Sequence, residues 1–245
     1  MIQGWTAIYT REILILRRKL FRLASAWSVS PLLYMIAFGY AMGKGVTIQE
    51  HSYIEFLVPG LAAMASMTQA FAIGSEINIS RFYWHIFEEF QAAPISNAAY
   101  VLGEVLAGMT RALLAGCVIL ILGAVFGVIL PYNIFFLIAF LLNSFIFSSL
   151  AVGVAMLVKS HADQAMMNSF IITPMAFLGG TFFPIDNLPG WAQKILLLLP
   201  LTHTADAIRN SCFGIMPEIG DYLILLCVGI STFVFAIMTV KKARD

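Results

Sequence analysis

Six stretches of about twenty mostly apolar residues constrain this chain more than any other feature: Leu23–Met42, Tyr53–Ser75, Val101–Leu130, Ile134–Val158, Ala165–Phe183 and Tyr222–Val240. At 1.5 Å per residue, a helix of that length matches the hydrocarbon thickness of a bilayer. Only 11% of the 245 residues are charged and 60% are hydrophobic. Soluble domains carry about 25% charge, and a soluble fold of this size cannot hide so much apolar surface. The expectation is an all-α integral membrane protein: one transmembrane domain over residues 1–245 with six transmembrane helices.

Lysines and arginines orient the spans. Arg11, Arg17, Arg18, Lys19, Arg22, Arg81, Lys159, Lys241, Lys242 and Arg244 fall on the side of the two termini. Only Lys44, Lys194 and Arg209 fall on the other side, with Arg111 inside the third span. Both termini are therefore expected in the cytoplasm. The first apolar run is longer than the 7–15 residues of a signal-peptide core, so it reads as an uncleaved span.

The pieces between the spans carry more information than the spans. In residues 1–22 an apolar stripe of Trp5, Tyr9, Ile13, Leu16 and Leu20 opposes Arg11, Arg18 and Arg22, as in a helix lying in the membrane interface. The loop 76–100 is rich in aromatic and acidic residues. Tyr83, Phe87 and Phe90 share a helical face, with His85, Glu88 and Glu89 off it and Pro94 ending the helix. An exposed aromatic face there wants a lipid surface or a protein groove. Its acidic tips suit a basic docking surface. Residues 184–221 contain two amphiphilic segments, Ala192–Leu199 and Thr204–Phe213, too short to cross. With Trp191 at headgroup level and His203, Asp206 and Arg209 among them, they read as re-entrant helices forming an outer gate.

Glu104 and Arg111 lie seven residues apart on one face of the third span, and ionisable groups in a membrane are default candidates for a substrate path. Gly39–Gly43 and Gly123–Gly127 permit close helix contact. Pro31, Pro59 and Pro174 can bend three spans.

The net charge of +1 gives no basic field for nucleic acid. Cys117, Cys212 and Cys227 are scattered, and the four histidines at 51, 85, 161 and 203 do not cluster, so neither a metal nor a disulfide framework is expected. Gly39-Tyr-Ala-Met-Gly-Lys44 fails the spacing of a phosphate loop, and hydrolase motifs are missing. The chain has no visible engine, no catalytic residues and no cofactor of its own. A stand-alone secondary transporter or channel is the alternative, and it would call for mid-span carboxylates. An intramembrane enzyme would need clustered His, Asp or Ser.

The run Phe177-Leu-Gly-Gly-Thr-Phe-Phe-Pro-Ile-Asp-Asn-Leu-Pro-Gly-Trp191, followed by Leu199-Pro-Leu-Thr-His203 and Asp206-Ala-Ile-Arg209, resembles the signature of ABC-2 type permeases. The order of elements is similar too. Tyr100-Val-Leu-Gly-Glu104 and the Pro-Leu-Thr-His run look similar to the branch with nodulation-factor (lipo-oligosaccharide) exporters and drug-efflux permeases. The resemblance implies a bacterial inner-membrane permease acting as a homodimer with two copies of a separate ABC ATPase, which holds the ATP and Mg. It implies export of an amphiphilic or lipid-linked substrate, such as a glycolipid, polysaccharide or drug. It also implies that residues 82–96 form the coupling helix, with Tyr83, Phe87, Glu88, Glu89 and Phe90 docking on the ATPase. One departure stands out. Many members carry an Arg/Gly-containing run before the Pro-Ile-Ser, and here that run is aromatic and acidic.

Overall fold

A computed structural model describes residues 4–48, 50–216 and 218–244. Five helices in it are long and apolar enough to cross a membrane: Gly4–Met42, Tyr53–Phe82, Asn97–Val125, Ile134–Leu157 and Ile219–Arg244. The first consists of α1 (Gly4–Tyr34) and a wider, π-helical stretch over Met35–Met42. A short hairpin of β1 (Thr47–Ile48) and β2 (His51–Ser52) leads into α2 (Tyr53–Phe71). The backbone N–H of Ser52 donates to Glu55 Oε2 at 2.8 Å, so Glu55 closes the N-terminus of α2. After a break at Ala72, α3 (Ile73–Phe82) continues the same rod. The short α4 (Ile86–Ala92) precedes α5 (Asn97–Val125), and α6 (Ile134–Leu157) follows.

The expected fifth span, 165–183, differs from the other five. It is segmented into α7 (His161–Met167), a π-helical turn at Asn168–Ile172 and α8 (Thr173–Leu178). Pro174 explains the widening, because it supplies no N–H to the i→i−4 ladder just where the turn opens. The eighteen residues 161–178 reach about 27 Å if helical throughout. After them come α9 (Gly190–Leu196), α10 (Pro200–Cys212) and α11 (Ile219–Arg244).

Two expected boundaries move. Residues 1–22 are not a helix apart from the first span: from Gly4 one helix runs through the expected division at 22/23. Its packed residues are Ile8, Glu12, Leu16, Trp27 and Pro31, so only Leu16 of the expected apolar stripe is buried. Ile8 sits against Gly103, and Leu16 and Trp27 cluster with Ala115, which aligns α1 with α5. The loop expected to begin at residue 76 begins later, since α3 runs on to Phe82.

The core lies around α2, whose residues from Phe56 to Met67 are all buried between α5, α6 and α10. Close contact is made where side chains are small. A Cβ on Gly108 would lie 2.5 Å from Ser148 Oγ, and Val58 fills the space over Gly123. Gly127 plays no such part: it has φ +83°, a Cβ there would meet no described atom within 4 Å, and it serves the turn that ends α5.

Candidate transport cleft

At one end of the bundle, α4 rests on the first turn of α5. His85 takes the left-handed conformation (φ 55°), which breaks the helix between Tyr83 and Phe87 and resets its phase. Tyr83, Phe87 and Phe90 therefore do not share an exposed face as the spacing suggested. Phe87 is buried, edge-on to Tyr100 with centroids 5.6 Å apart, and Phe90 meets the same ring at 5.6 Å. Tyr83, Trp84, Glu88 and Glu89 face outward. Arg81 ties the platform to α6: its Nη1 donates to the carbonyls of Ala155 and Met156 at 3.0 and 2.9 Å, satisfying the open C-terminal end. Its guanidinium also lies over the rings of Phe82 and Phe87.

Next to this platform a charged network joins α1, α3 and α5. Arg11 pairs with Glu12 and donates to Ser80 Oγ at 3.3 Å. Arg111 Nη1 donates to Glu76 Oε1 at 3.2 Å. Glu104 is buried beside them, and its Oε2 has no partner among the described residues. Glu104 and Arg111 do sit on one face of α5, as their spacing required. That face meets other helices, and neither residue lines the cleft between α1, α2 and residues 161–178.

The cleft lies between α1, α2 and the segmented 161–178 stretch. It holds about 360 Å³, and Trp27, Tyr34, Thr68, Gln69, Gln164, Asn168 and Phe177 are among its walls. Sequence reading missed it. The signal available was a set of amides, Gln69, Gln164 and Asn168, in apolar runs where a polar side chain is costly without a purpose. Gln164 is partly accounted for, since its Oε1 accepts from Asn78 Nδ2 at 3.0 Å.

Toward the hairpin end the cleft is closed by four rings. Phe182 lies 5.2 Å from Tyr34, 5.4 Å from Phe38 and 5.2 Å from Phe177 between centroids. The Gly179–Phe183 turn carrying Phe182 is held from behind. Tyr53 Oη donates to Phe182 O at 2.7 Å, and Arg209 Nη2 donates to Gly180 O at 2.8 Å. Arg209 is buried with its guanidinium 3.7 Å above the Phe56 ring. Burial pulls its pKa down to about 10, so it stays charged at neutral pH.

The residues assigned to the outer gate thus separate. Trp191, on α9, is 70% exposed. Arg209 braces the aromatic closure and meets Asp206 only at 3.4 Å. His203 joins α10 to α11, with Nδ1 2.8 Å from Asp221 Oδ1 and Nε2 2.8 Å from Leu197 O. A carboxylate and a carbonyl both accept, so the pair of contacts favours the imidazolium, which donates from both ring nitrogens. Its pKa is accordingly raised, chiefly by the bond to Asp221. Most of α10 is buried, against α2, α6 and α11. Thr204 Oγ1 donates to Asn143 Oδ1 at 3.0 Å, and Asn143 Nδ2 donates to Ser66 Oγ at 2.6 Å, which pins α10 to α6 and α2.

Residues 3–213 match the family model for ABC-2 type transporters. This chain belongs to the ABC-2 type transporter family. Among its relatives, Nodulation protein J of Neorhizobium galegae is 30% identical, with 98% of this chain and 94% of that protein aligned. Nodulation protein J of Rhizobium meliloti is 29% identical, covering 91% and 87%. Inner membrane transport permease YadH of Escherichia coli K12 is 25% identical, covering 88% and 86%. The chain is therefore a membrane transport permease. ABC-2 permeases are transport subunits, and as a family they associate with an ABC ATPase.

Proposed function

We propose that this ABC-2 permease is the membrane-spanning subunit of an ATP-driven exporter, working as a homodimer with two copies of a separate ATPase that binds ATP and Mg. Its cargo is an amphiphilic or lipid-linked molecule leaving the cytoplasm or the inner leaflet of the bacterial inner membrane. Both termini lie in the cytoplasm, on the side of the ten basic flanking residues.

The observation that carries this reading is the construction of α4. Its inner face is anchored on Tyr100, Arg81 and Arg11, while Tyr83, Trp84, Glu88 and Glu89 are left outward. A short helix fixed to three longer ones and exposing aromatic and acidic groups suits a basic partner whose motion must reach the spans. In this reading the exposed residues dock the ATPase, and Phe87 and Phe90 pass its motion to α5. The cleft is the cargo path. The rings of Tyr34, Phe38, Phe177 and Phe182 are its outer gate, with Arg209 as brace, and Trp191, His203 and Asp206 flank it.

Replacing Glu88 and Glu89 with lysine should reduce co-purification with the ATPase, or its stimulated hydrolysis, at least tenfold through like-charge contact. Normal assembly, stimulation and export in that variant would defeat the docking assignment. The purified permease alone should hydrolyse no ATP, and activity that stays with it through chromatography would defeat the division of labour.

A further inference from the structure

A second hollow, sharing no wall residue with the cleft, opens where α3, α6 and α11 end on the side of the two termini. It holds about 340 Å³, and its walls include Arg81 from α3, Lys159 from the turn after α6 and Lys242 from α11. No Asp or Glu lines it among the described residues. Asp163 accepts from the Lys159 backbone N–H at 3.2 Å and stays outside the walls. The ammonium groups of Lys159 and Lys242 pair with no described residue, whereas Arg11, Arg111 and Arg209 each have a carboxylate. Arg81 uses only Nη1 to hold α6, so its Nε and Nη2 donate to no described residue. Three cations from separate elements around one open space repel one another, and an entering anion relieves that. The Nε–Nη2 edge of a guanidinium can take a phosphate in a two-pronged bond, while lysines approach it as point charges.

Two of the same helices carry an apolar hollow deeper in the bilayer. It holds about 440 Å³ between α6 and α11, with Leu150, Val228 and Phe235 among its walls. Ser231 and Thr232 also line it, but their hydroxyls donate to Cys227 O and Gly229 O of their own helix. Leu150 lies seven residues before Leu157 on α6, and Phe235 and Val228 lie seven and fourteen residues before Lys242 on α11. At 1.5 Å per residue, the apolar hollow therefore extends from about 10 to about 21 Å from the basic one. The hydrocarbon of one leaflet is about 15 Å deep, so a phosphate and its acyl chain can occupy the pair together. Phe82 and Leu157, both exposed, give the basic hollow an apolar lip. We infer that this groove binds an anionic phospholipid of the leaflet on the side of the termini. Arg81, Lys159 and Lys242 hold its phosphate, and a chain lies along α6 and α11. An amine-bearing headgroup finds no carboxylate in these walls, so phosphatidylglycerol fits and phosphatidylcholine does not. The bound phosphate bridges three helices where α4 is anchored, since Arg81 also lies over Phe87.

The full chain, stripped of lipid in a maltoside detergent, can be titrated with synthetic lipids and the bound lipids counted by native mass spectrometry. The first dioleoyl phosphatidylglycerol should bind at least tenfold tighter than dioleoyl phosphatidylcholine. A lysine facing an anionic lipid is worth about fivefold in affinity. Lys159→Gln combined with Lys242→Gln should therefore weaken phosphatidylglycerol about 25-fold and leave phosphatidylcholine within twofold. Both lysines are exposed, so the lipid-free double variant should keep the parent's melting point. Lys241→Gln, exposed and outside the walls, should leave both affinities unchanged. Dihexanoyl phosphatidylglycerol should bind at least tenfold more weakly than the dioleoyl form, because it cannot reach the apolar hollow. Glycerophosphate in tenfold excess should not displace the lipid, and full displacement would assign the basic hollow to a soluble phosphate instead. Equal affinity for the two headgroups, or an equal loss in Lys241→Gln, would overturn the inference. A changed oligomeric state in the double variant with lipid affinity intact would give the groove to a second copy of the chain.

Discussion

Replacing Arg209 with methionine keeps an unbranched side chain of similar length and removes the charge that braces the aromatic closure. The charge-assisted bond to Gly180 O at 2.8 Å contributes roughly 1.5–3 kcal/mol. The desolvated contact at 3.7 Å with the Phe56 ring adds about 2 kcal/mol. Against these stands the cost of holding a guanidinium away from water, which methionine escapes. Asp206, its side chain 44% exposed, is rehydrated cheaply when its partner goes. A net loss of about 2–4 kcal/mol follows, or roughly 5–15 °C in melting temperature for a chain of this size. Thermal unfolding in nanodiscs measures that. Arg209→Lys should lose less, because it keeps the charge and gives up the planar fork. The local consequence is separate from stability: with Gly180 released, a cysteine at position 182 should react faster with a membrane-impermeant maleimide well below the melting point. A melting point within 2 °C of the parent and unchanged labelling at 182 would refute the bracing role.

Three further outcomes follow from the same region. In His203→Gln the stabilisation by the imidazolium is lost, so the parent should exceed the variant most below pH 6.5, with the difference fading as pH rises through the elevated folded value; a difference that grows with pH would contradict this. Gly60→Ala places a methyl group 2.5 Å from Thr181 O, a backbone atom, and should cost about 1–3 kcal/mol while also raising labelling at 182; a neutral melting point would show the approach to be slack. Cys212 is buried, with its thiol pushed up to about 12, so in a background lacking Cys117 and Cys227 it should react with N-ethylmaleimide at pH 8 only as the protein unfolds. Rapid labelling of the native protein would place α10 wrongly.

What the sequence disclosed follows from the range of the interactions involved. Residues 134–158 were expected as a span, and α6 runs Ile134–Leu157, because the length of an apolar run is a local property. The aromatic turn at Phe177–Phe183 and the short segments after it were equally visible as punctuation by Gly and Pro. The orientation of Phe87 was not, since one left-handed residue, His85, rotates everything after it and no periodicity announces that. Contacts such as Thr204 with Asn143, sixty-one residues apart, or Asn78 with Gln164, eighty-six apart, join isolated polar residues that look unremarkable one at a time. Glu104 and Arg111 were singled out correctly as unusual, but spacing tells which face they share and not what that face meets.

The pinning of α10 also fixes an order of events during biosynthesis. With thirteen residues and three hydroxyl or imidazole groups among the first five, α10 has neither the length nor the apolarity to enter a bilayer alone. When α6 leaves the ribosome, the Asn143 amide can reach Ser66 and the Ala63 carbonyl on α2, which is already made. Its oxygen, however, waits for Thr204 until the next sixty residues have been synthesised. Closing the bundle is therefore a post-insertion step, in which a late wedge enters a site that the earlier spans have hollowed out. A nascent chain halted before residue 200 would hold its spans and lack its keystone, leaving that carbonyl exposed to quality-control proteases and chaperones.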